Sequence, residues 1–213
     1  MIAVICGATG LTGSILVGKL LTDPEISQLI SVSRKSLDIK SPKLKEIIIS
    51  HLSELPNYHS QLRGDMYFCC LGTTLKEAGS REKFKQVDYD AVLEFGKIAN
   101  AHCCYSFVLI SSIGANSNSL FFYNRIKGEV ELALQKLSFK SLIIFRPGFL
   151  IGNRKNFRRG ERMFVEVFRW VSPFFPSIMR KRVMTHAQEL AERMVLEGKN
   201  PRPGVLILES HKI

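Results

Sequence analysis

The sequence predicts an α/β fold: a doubly wound parallel sheet covered by helices on both faces, in one domain with a short C-terminal extension on the substrate side. Three observations carry this. The chain opens with a short apolar run, Ile2 to Ile5, that passes through Gly7-Ala8-Thr9-Gly10-Leu11-Thr12-Gly13 into a periodic apolar segment, Leu11 to Leu21. Short apolar runs then alternate with segments of helical period, a rhythm that means parallel β-α-β units. One of these runs closes in small residues, Gly72-Thr73-Thr74, which leave room for a ligand to approach the backbone as the first turn does.

The first turn reads as a phosphate cradle. Gly7 allows the tight turn, Gly10 lets the backbone approach a pyrophosphate, and Gly13 lets the helix pack closely on the strand. The free N–H groups and positive end of that helix then face the phosphates. Gln28 to Ser33 is the second strand, and Ser33-Arg34-Lys35 forms its tip. A carboxylate at this tip would bind the ribose hydroxyls of NAD(H), whereas basic residues accommodate a 2′-phosphate. Arg34 and Lys35 are basic, so NADP(H) is expected in preference to NAD(H).

Lys45 to Ser50 is the third strand and Met66 to Leu71 the fourth, running into Gly72-Thr73-Thr74. A long helix is expected over Ser80 to His102, with Phe84, Val87, Ala91, Phe95, Ile98 and Ala99 on its inner face. Phe107 to Ile110 is the fifth strand and ends in Ser111-Ser112. A helix follows from about Phe121 to Leu137, then a sixth strand, Leu142 to Phe145, and Arg146-Pro147-Gly148. His186 to Glu197 reads as a further helix and Val205 to Leu208 as a last edge strand.

The candidate catalytic group is Ser111 or Ser112 with Tyr123 and Lys127. Tyrosine and lysine four residues apart lie on one helix face, one turn from each other. A nearby ammonium favours the phenolate and brings a phenol toward the range useful for proton transfer. A serine hydroxyl at the end of the preceding strand can bind a substrate carbonyl as it gains negative charge.

Together these residues resemble the atypical short-chain dehydrogenases/reductases, Rossmann-fold proteins, and in particular the Tat-interacting-protein oxidoreductase subgroup. The resemblance rests on Gly7 to Gly13, Cys70-Leu71-Gly72-Thr73-Thr74, Ser111-Ser112-Ile113-Gly114-Ala115, Tyr123 with Lys127-Gly128-Glu129, and Arg146-Pro147-Gly148. It implies that the glycine turn with Thr9, Leu11 and Thr12 holds the pyrophosphate and that Arg34 takes the 2′-phosphate. Leu71 to Thr74 would line the adenosine and its linkage to nicotinamide, with Pro147 and Gly148 beside the nicotinamide. Lys127 would hold the nicotinamide ribose and tune Tyr123 as general acid/base, while Ser112 or Ser111 orients the substrate oxygen. Where such folds often carry an acidic residue near adenine, this chain has His51 followed by Leu52.

Composition bounds the rest. The 213 residues are 46% hydrophobic, enough for one core spanning 1–213. No run is long enough to cross a bilayer, and no charged region precedes the first apolar run as a signal peptide requires, so a cytoplasmic protein is expected. Five cysteines without a C-x-x-C pair read as reduced, buried thiols, and the five histidines lack metal-ligand spacing, so no metal is expected.

Of the net charge of +11, +7 lies between Arg154 and Arg182, where Met163, Phe164, Val167, Phe168 and Val171 recur at helical spacing. Three readings of this segment, within 151–204, remain open: an apolar face packed on the sheet with solvated charges, a lid over the cleft selecting an anionic substrate, or a site for a membrane surface or acidic protein. No nucleic-acid fold motif accompanies the charge. The long helices before strands five and six are the elements that could pair in a homodimer. The function expected is NADP(H)-dependent oxidoreduction of a small carbonyl, alcohol or enone. The alternative is an NADP(H)-binding regulator or sensor that engages a protein or membrane partner with little turnover. A sugar-nucleotide epimerase is less expected, because little chain follows the sixth strand to build a large pocket.

Overall fold

The computed structural model describes residues 1–152 and 184–213. Its starting point is the turn between strand β1 (Ile2–Cys6) and helix α1 (Leu11–Thr22). Gly7 sits at φ +87°, a left-handed conformation that an L side chain resists, and a Cβ there would lie 2.5 Å from the Cys70 carbonyl carbon. A Cβ on Gly13 would collide with the Gly7 carbonyl oxygen. The first turn of α1 is thereby pressed directly onto the end of β1.

Six more strands join β1 in a wholly parallel sheet: β2 (Gln28–Ser33), β3 (Leu44–Ile48), β4 (Met66–Cys69), β5 (Ser106–Ile110), β6 (Ser141–Arg146) and β9 (Gly204–Glu209). Two short strands, β7 (Phe149–Ile151) and β8 (Met184–His186), pair separately. The order across the main sheet is β3-β2-β1-β4-β5-β6-β9, so it reverses between β1 and β4. That reversal opens a crevice at the carboxyl ends of the two strands, the place where open α/β sheets bind ligands.

Each face of the sheet carries its own apolar cluster. On one, α1 and α6 (Ala187–Lys199) set Leu16, Leu20, Leu190 and Met194 against Ile5, Phe68, Val108 and Phe145. On the other, Val92, Phe95 and Ile98 of α4 (Ala91–Ala101) and Val130 and Leu134 of α5 (Phe122–Gln135) cover Val4, Tyr67, Phe107 and Ile144. Continuous apolar strands such as Phe107 to Ile110 follow from being covered on both faces.

The predicted alternation of strands and helices is present, with shifted boundaries. The fourth strand closes at Cys69 rather than Leu71. The long helix expected over Ser80 to His102 is α3 (Arg81–Lys85), a π turn (Gln86–Asp90) and α4 in succession. Ala91 N–H bonds Gln86 O, five residues back, and the widened turn advances less per residue. The residue that keeps the inner face of Phe84 is Asp88, four positions on and fully buried, while the expected Val87 is only half-buried. A 3₁₀ helix over Leu52–Leu62, the short helix α2 (Leu75–Ala78) and the β7–β8 pair lack a periodicity that would announce them.

All five cysteines are free, but Cys103 is exposed rather than buried, on a backbone at φ +52°. Among the described residues no helix is long and apolar enough to cross a membrane, and no cluster of His, Cys, Asp and Glu could hold a metal ion. The basic segment 154–182 lies outside the described residues.

Two glycines of α1 separate packing from propensity. Gly18 is exposed with open space around its Cα, so Gly18→Ala should stabilise the fold by roughly 0.5–1 kcal/mol. Gly13→Ala should destabilise it by about 1–3 kcal/mol through the clash with Gly7. Denaturant unfolding midpoints of the two variants check both signs.

Candidate active site

The crevice wall begins with the glycine turn. Gly10 caps α1 in extended conformation without a side-chain cap or any acid in the first turn. The amides of Leu11, Thr12 and Gly13 precede the first helical bond, Ser14 N–H to Gly10 O at 2.9 Å. Thr12 Oγ1 is buried without a hydrogen-bond partner among the described residues, and a Cβ on Gly10 would meet only Gly7 O, at 3.4 Å. Orphaned donors, an unpartnered hydroxyl and an open flank together suit an anion. Thr9 is exposed at the same turn.

Arg34 and Lys35 are both exposed beyond the tip of β2, where Ser33 Oγ donates to Lys35 O at 2.6 Å and shapes the bend. Leu52 is half-buried at the start of the 3₁₀ helix and packs on the core. Leu71 is buried, Gly72 is exposed, and Thr73 and Thr74 are half-buried as the chain leaves β4. Thr74 caps α2 by accepting from Glu77 N–H.

Lys127 is 4% exposed and forms an ion pair of 2.7 Å with Asp88, itself wholly buried. Burial opposes the charge of Lys127 most strongly, but the Asp88 carboxylate, with Tyr123 and Cys69 acting in the same direction, holds the ammonium above its ordinary range. Thr73 N–H donates to the second carboxylate oxygen of Asp88 at 2.9 Å. A Cβ on Gly72 would lie 3.6 Å from Asp88 Oδ1 and 3.7 Å from Lys127 Nζ. The pair thus sits beneath the loop that leaves β4. Tyr123, half-buried one turn earlier on α5, rests against Phe84 with ring centroids 5.7 Å apart. The field Lys127 presents to Tyr123 is that of an ion pair, not the lone cation that spacing alone suggests.

The two serines have different surroundings. Ser111 is buried and its hydroxyl donates to Glu131, which also receives a forked contact from Arg146, with Nη2 to Oε2 at 2.6 Å. Arg146 reaches on to Glu209 at 2.9 Å. Ser112 is half-buried, and its hydroxyl makes a long bond of 3.3 Å to Ile113 O. Pro147 is buried and Gly148 half-buried; Pro147 O accepts Ile113 N–H at 2.8 Å, and Gly148 N–H donates to Thr185 Oγ1 at 3.0 Å.

Sequence reasoning missed Asp88 and Glu131. Both were visible as carboxylates on apolar helix faces, Asp88 four residues from Phe84 and from Val92, and Glu131 four beyond Lys127.

No family model matches the chain. HTATIP2 of Rattus norvegicus is 33% identical over 197 residues, covering 91% of this chain and 81% of that protein. The mitochondrial protein FMP52 of Candida albicans is 38% identical over 155 residues, covering 71% of this chain and 68% of the relative. Among solved structures, MoeE5 in complex with UDP-glucose and NAD superposes with a TM-score of 0.75 at 16% identity, over 98% of this chain and 75% of that one. WbmH of Bordetella bronchiseptica in complex with NAD+ gives 0.72 at 14% identity, over 98% and 75%. These structures share the fold.

The geometry predicts opposite outcomes for the two serines. Ser111→Ala removes a donor from a buried carboxylate and should cost about 1–3 kcal/mol of stability, whereas Ser112→Ala should change it by less than about 0.5 kcal/mol. Thermal unfolding of both variants decides it.

Proposed function

The chain belongs to the HTATIP2 family of atypical short-chain dehydrogenases/reductases, and from that premise we propose that it is an NADP(H)-dependent oxidoreductase acting on a small carbonyl, alcohol or enone. The observation that supports this best is the end of β4. There Gly7 of the anion-binding turn touches Cys70, and two residues on Gly72 lies against Lys127, so a dinucleotide laid along the crevice would meet both.

The cofactor, when bound, supplies or accepts the hydride. The residues present fit it. Thr9, Leu11, Thr12 and the amides after Gly10 would hold the pyrophosphate, and Arg34 and Lys35 the 2′-phosphate. Leu52 and Leu71 to Thr74 would line the adenosine side, and Pro147 and Gly148 the nicotinamide side. Lys127 would donate to the nicotinamide ribose. Tyr123 would give or take the proton at its phenol oxygen, and Ser112, whose hydroxyl is held only by a long bond to Ile113 O, would orient the substrate oxygen. Ser111 is bound into the Glu131–Arg146 network, which argues for a structural part. A reducing compartment such as the cytosol fits the five free thiols, although the fungal relatives carry "mitochondrial" in their names.

NADPH oxidation with a panel of aldehydes, ketones, quinones and enones tests the reading. Tyr123→Phe should lower turnover by roughly 10²–10⁴-fold while cofactor affinity holds. Tight NADPH binding with no Tyr123-dependent turnover would instead mark a cofactor-binding regulator. Arg34→Ala should weaken NADPH by about ten-fold or more, the worth of a charge-assisted hydrogen bond, and leave NADH unchanged. Equal losses for the two nucleotides would remove the NADP preference.

A further inference from the structure

We propose that Asp88 is a positioning residue of this oxidoreductase: carried on the π turn, it fixes the Lys127 ammonium under Gly72, so that its remaining protons point to the cofactor ribose. The inference rests on the proposed oxidoreductase function for the ribose, and on the structure alone for the ion pair.

Three observations carry it. Both side chains are buried, Asp88 wholly and Lys127 with only 4% of its surface exposed, and they meet at 2.7 Å. A buried ion pair is no efficient source of stability, since apolar residues of similar volume serve as well or better. Its presence at the crevice therefore asks for another reason. Next, Asp88 is itself held. Its other carboxylate oxygen accepts Thr73 N–H at 2.9 Å, tying it to the strand loop rather than to its own helix. Finally, the backbone is distorted at this residue. The run from Gln86 to Asp90 is the one π segment among the described residues, and Asp88 is at its centre. Such segments recur where a helix must present a functional side chain.

The chemistry is set by the donors. An ammonium has three N–H groups and no acceptor, and Asp88 takes one of them. The rest act as charge-assisted donors only while Lys127 is protonated, and a buried lysine without a counter-charge loses its proton readily. The other groups facing Lys127 do not replace Asp88. Tyr123 is on the same helix, and Cys69 on β4 is pushed up to about 12 by burial, so it remains an uncharged thiol at neutral pH.

Asp88→Asn keeps the shape and the acceptor for Thr73 N–H but removes the charge. With lysine isotopically labelled at Cε, and the Lys127 signal identified through Lys127→Arg, NMR titration follows the ammonium directly without substrate or cofactor. In the parent chain Lys127 should stay charged beyond about pH 10, whereas in Asp88→Asn it should deprotonate roughly 3–5 units lower. NADPH affinity of the variant should then fall as pH rises through that window, while that of the parent stays level. Identical Lys127 titration in both proteins would overturn the inference, as would pH-independent NADPH affinity in the variant. A shifted titration in a chain that reduces no carbonyl would leave Asp88's hold on Lys127 standing and sink only the reductase reading. Should Asp88→Asn fail to fold, Asp88→Glu keeps the charge and moves it by one methylene. Lys127 should then remain protonated while NADPH binds roughly ten-fold more weakly; unchanged affinity would overturn the positioning role.

Discussion

The close approach of two backbones at Gly7 and Cys70 is the constraint on which the rest of the site depends. Gly7 can make it only because it lacks a Cβ and tolerates a positive φ, and Gly13 then brings α1 down onto the same point. The end of β4 is thereby placed beside the start of α1. The loop leaving β4 inherits that placement: Gly72 overlies Lys127, and Thr73 N–H reaches Asp88. A line of contacts runs in this way from residue 7 to α5, through three elements far apart in the chain. Helix α5 is located by the turn at the N-terminus as much as by its own packing.

The two buried charge clusters near the crevice have different characters. Asp88 and Lys127 form a closed pair with one backbone donor added. Ser111, Glu131, Arg146 and Glu209 form an open chain that joins β5, α5, β6 and β9 and ends at a half-exposed carboxylate. In each case a carboxylate on an inward helix face is matched by a cation, as a low-dielectric interior demands. The closed pair sits under the exposed Gly72, while the open chain braces the sheet behind it.

Much of this was legible in the sequence. The alternation of apolar runs and helical segments foretold the parallel sheet, because both signals are local and periodic. The glycine turn announced the crevice for the same reason: three small residues at fixed spacing act within one turn. Other features were hidden because they depend on partners distant in the chain. Ser111 and Ser112 look equivalent until Glu131 and Arg146 arrive from another helix and another strand. Asp88 could be read as one more charge on a helix, although it shares a face with Phe84 and Val92; that a carboxylate stands there becomes intelligible only when Lys127 and Thr73 arrive from another helix and a strand loop. The short strands β7 and β8 pair across more than thirty residues of chain, and nothing local marks either.

Arg146 grips Glu131 on α5 with one side of its guanidinium and Glu209 at the end of β9 with the other. An edge strand of an open sheet is ordinarily among the first elements to fray, opening at a cost well below that of global unfolding. Here β9 is laddered to β6 along its length and latched at its carboxyl end to the helix that bears Tyr123 and Lys127. Its amides should therefore exchange with solvent in step with those of β6, and the final strand becomes part of the same cooperative unit as the site, not a loosely attached tail.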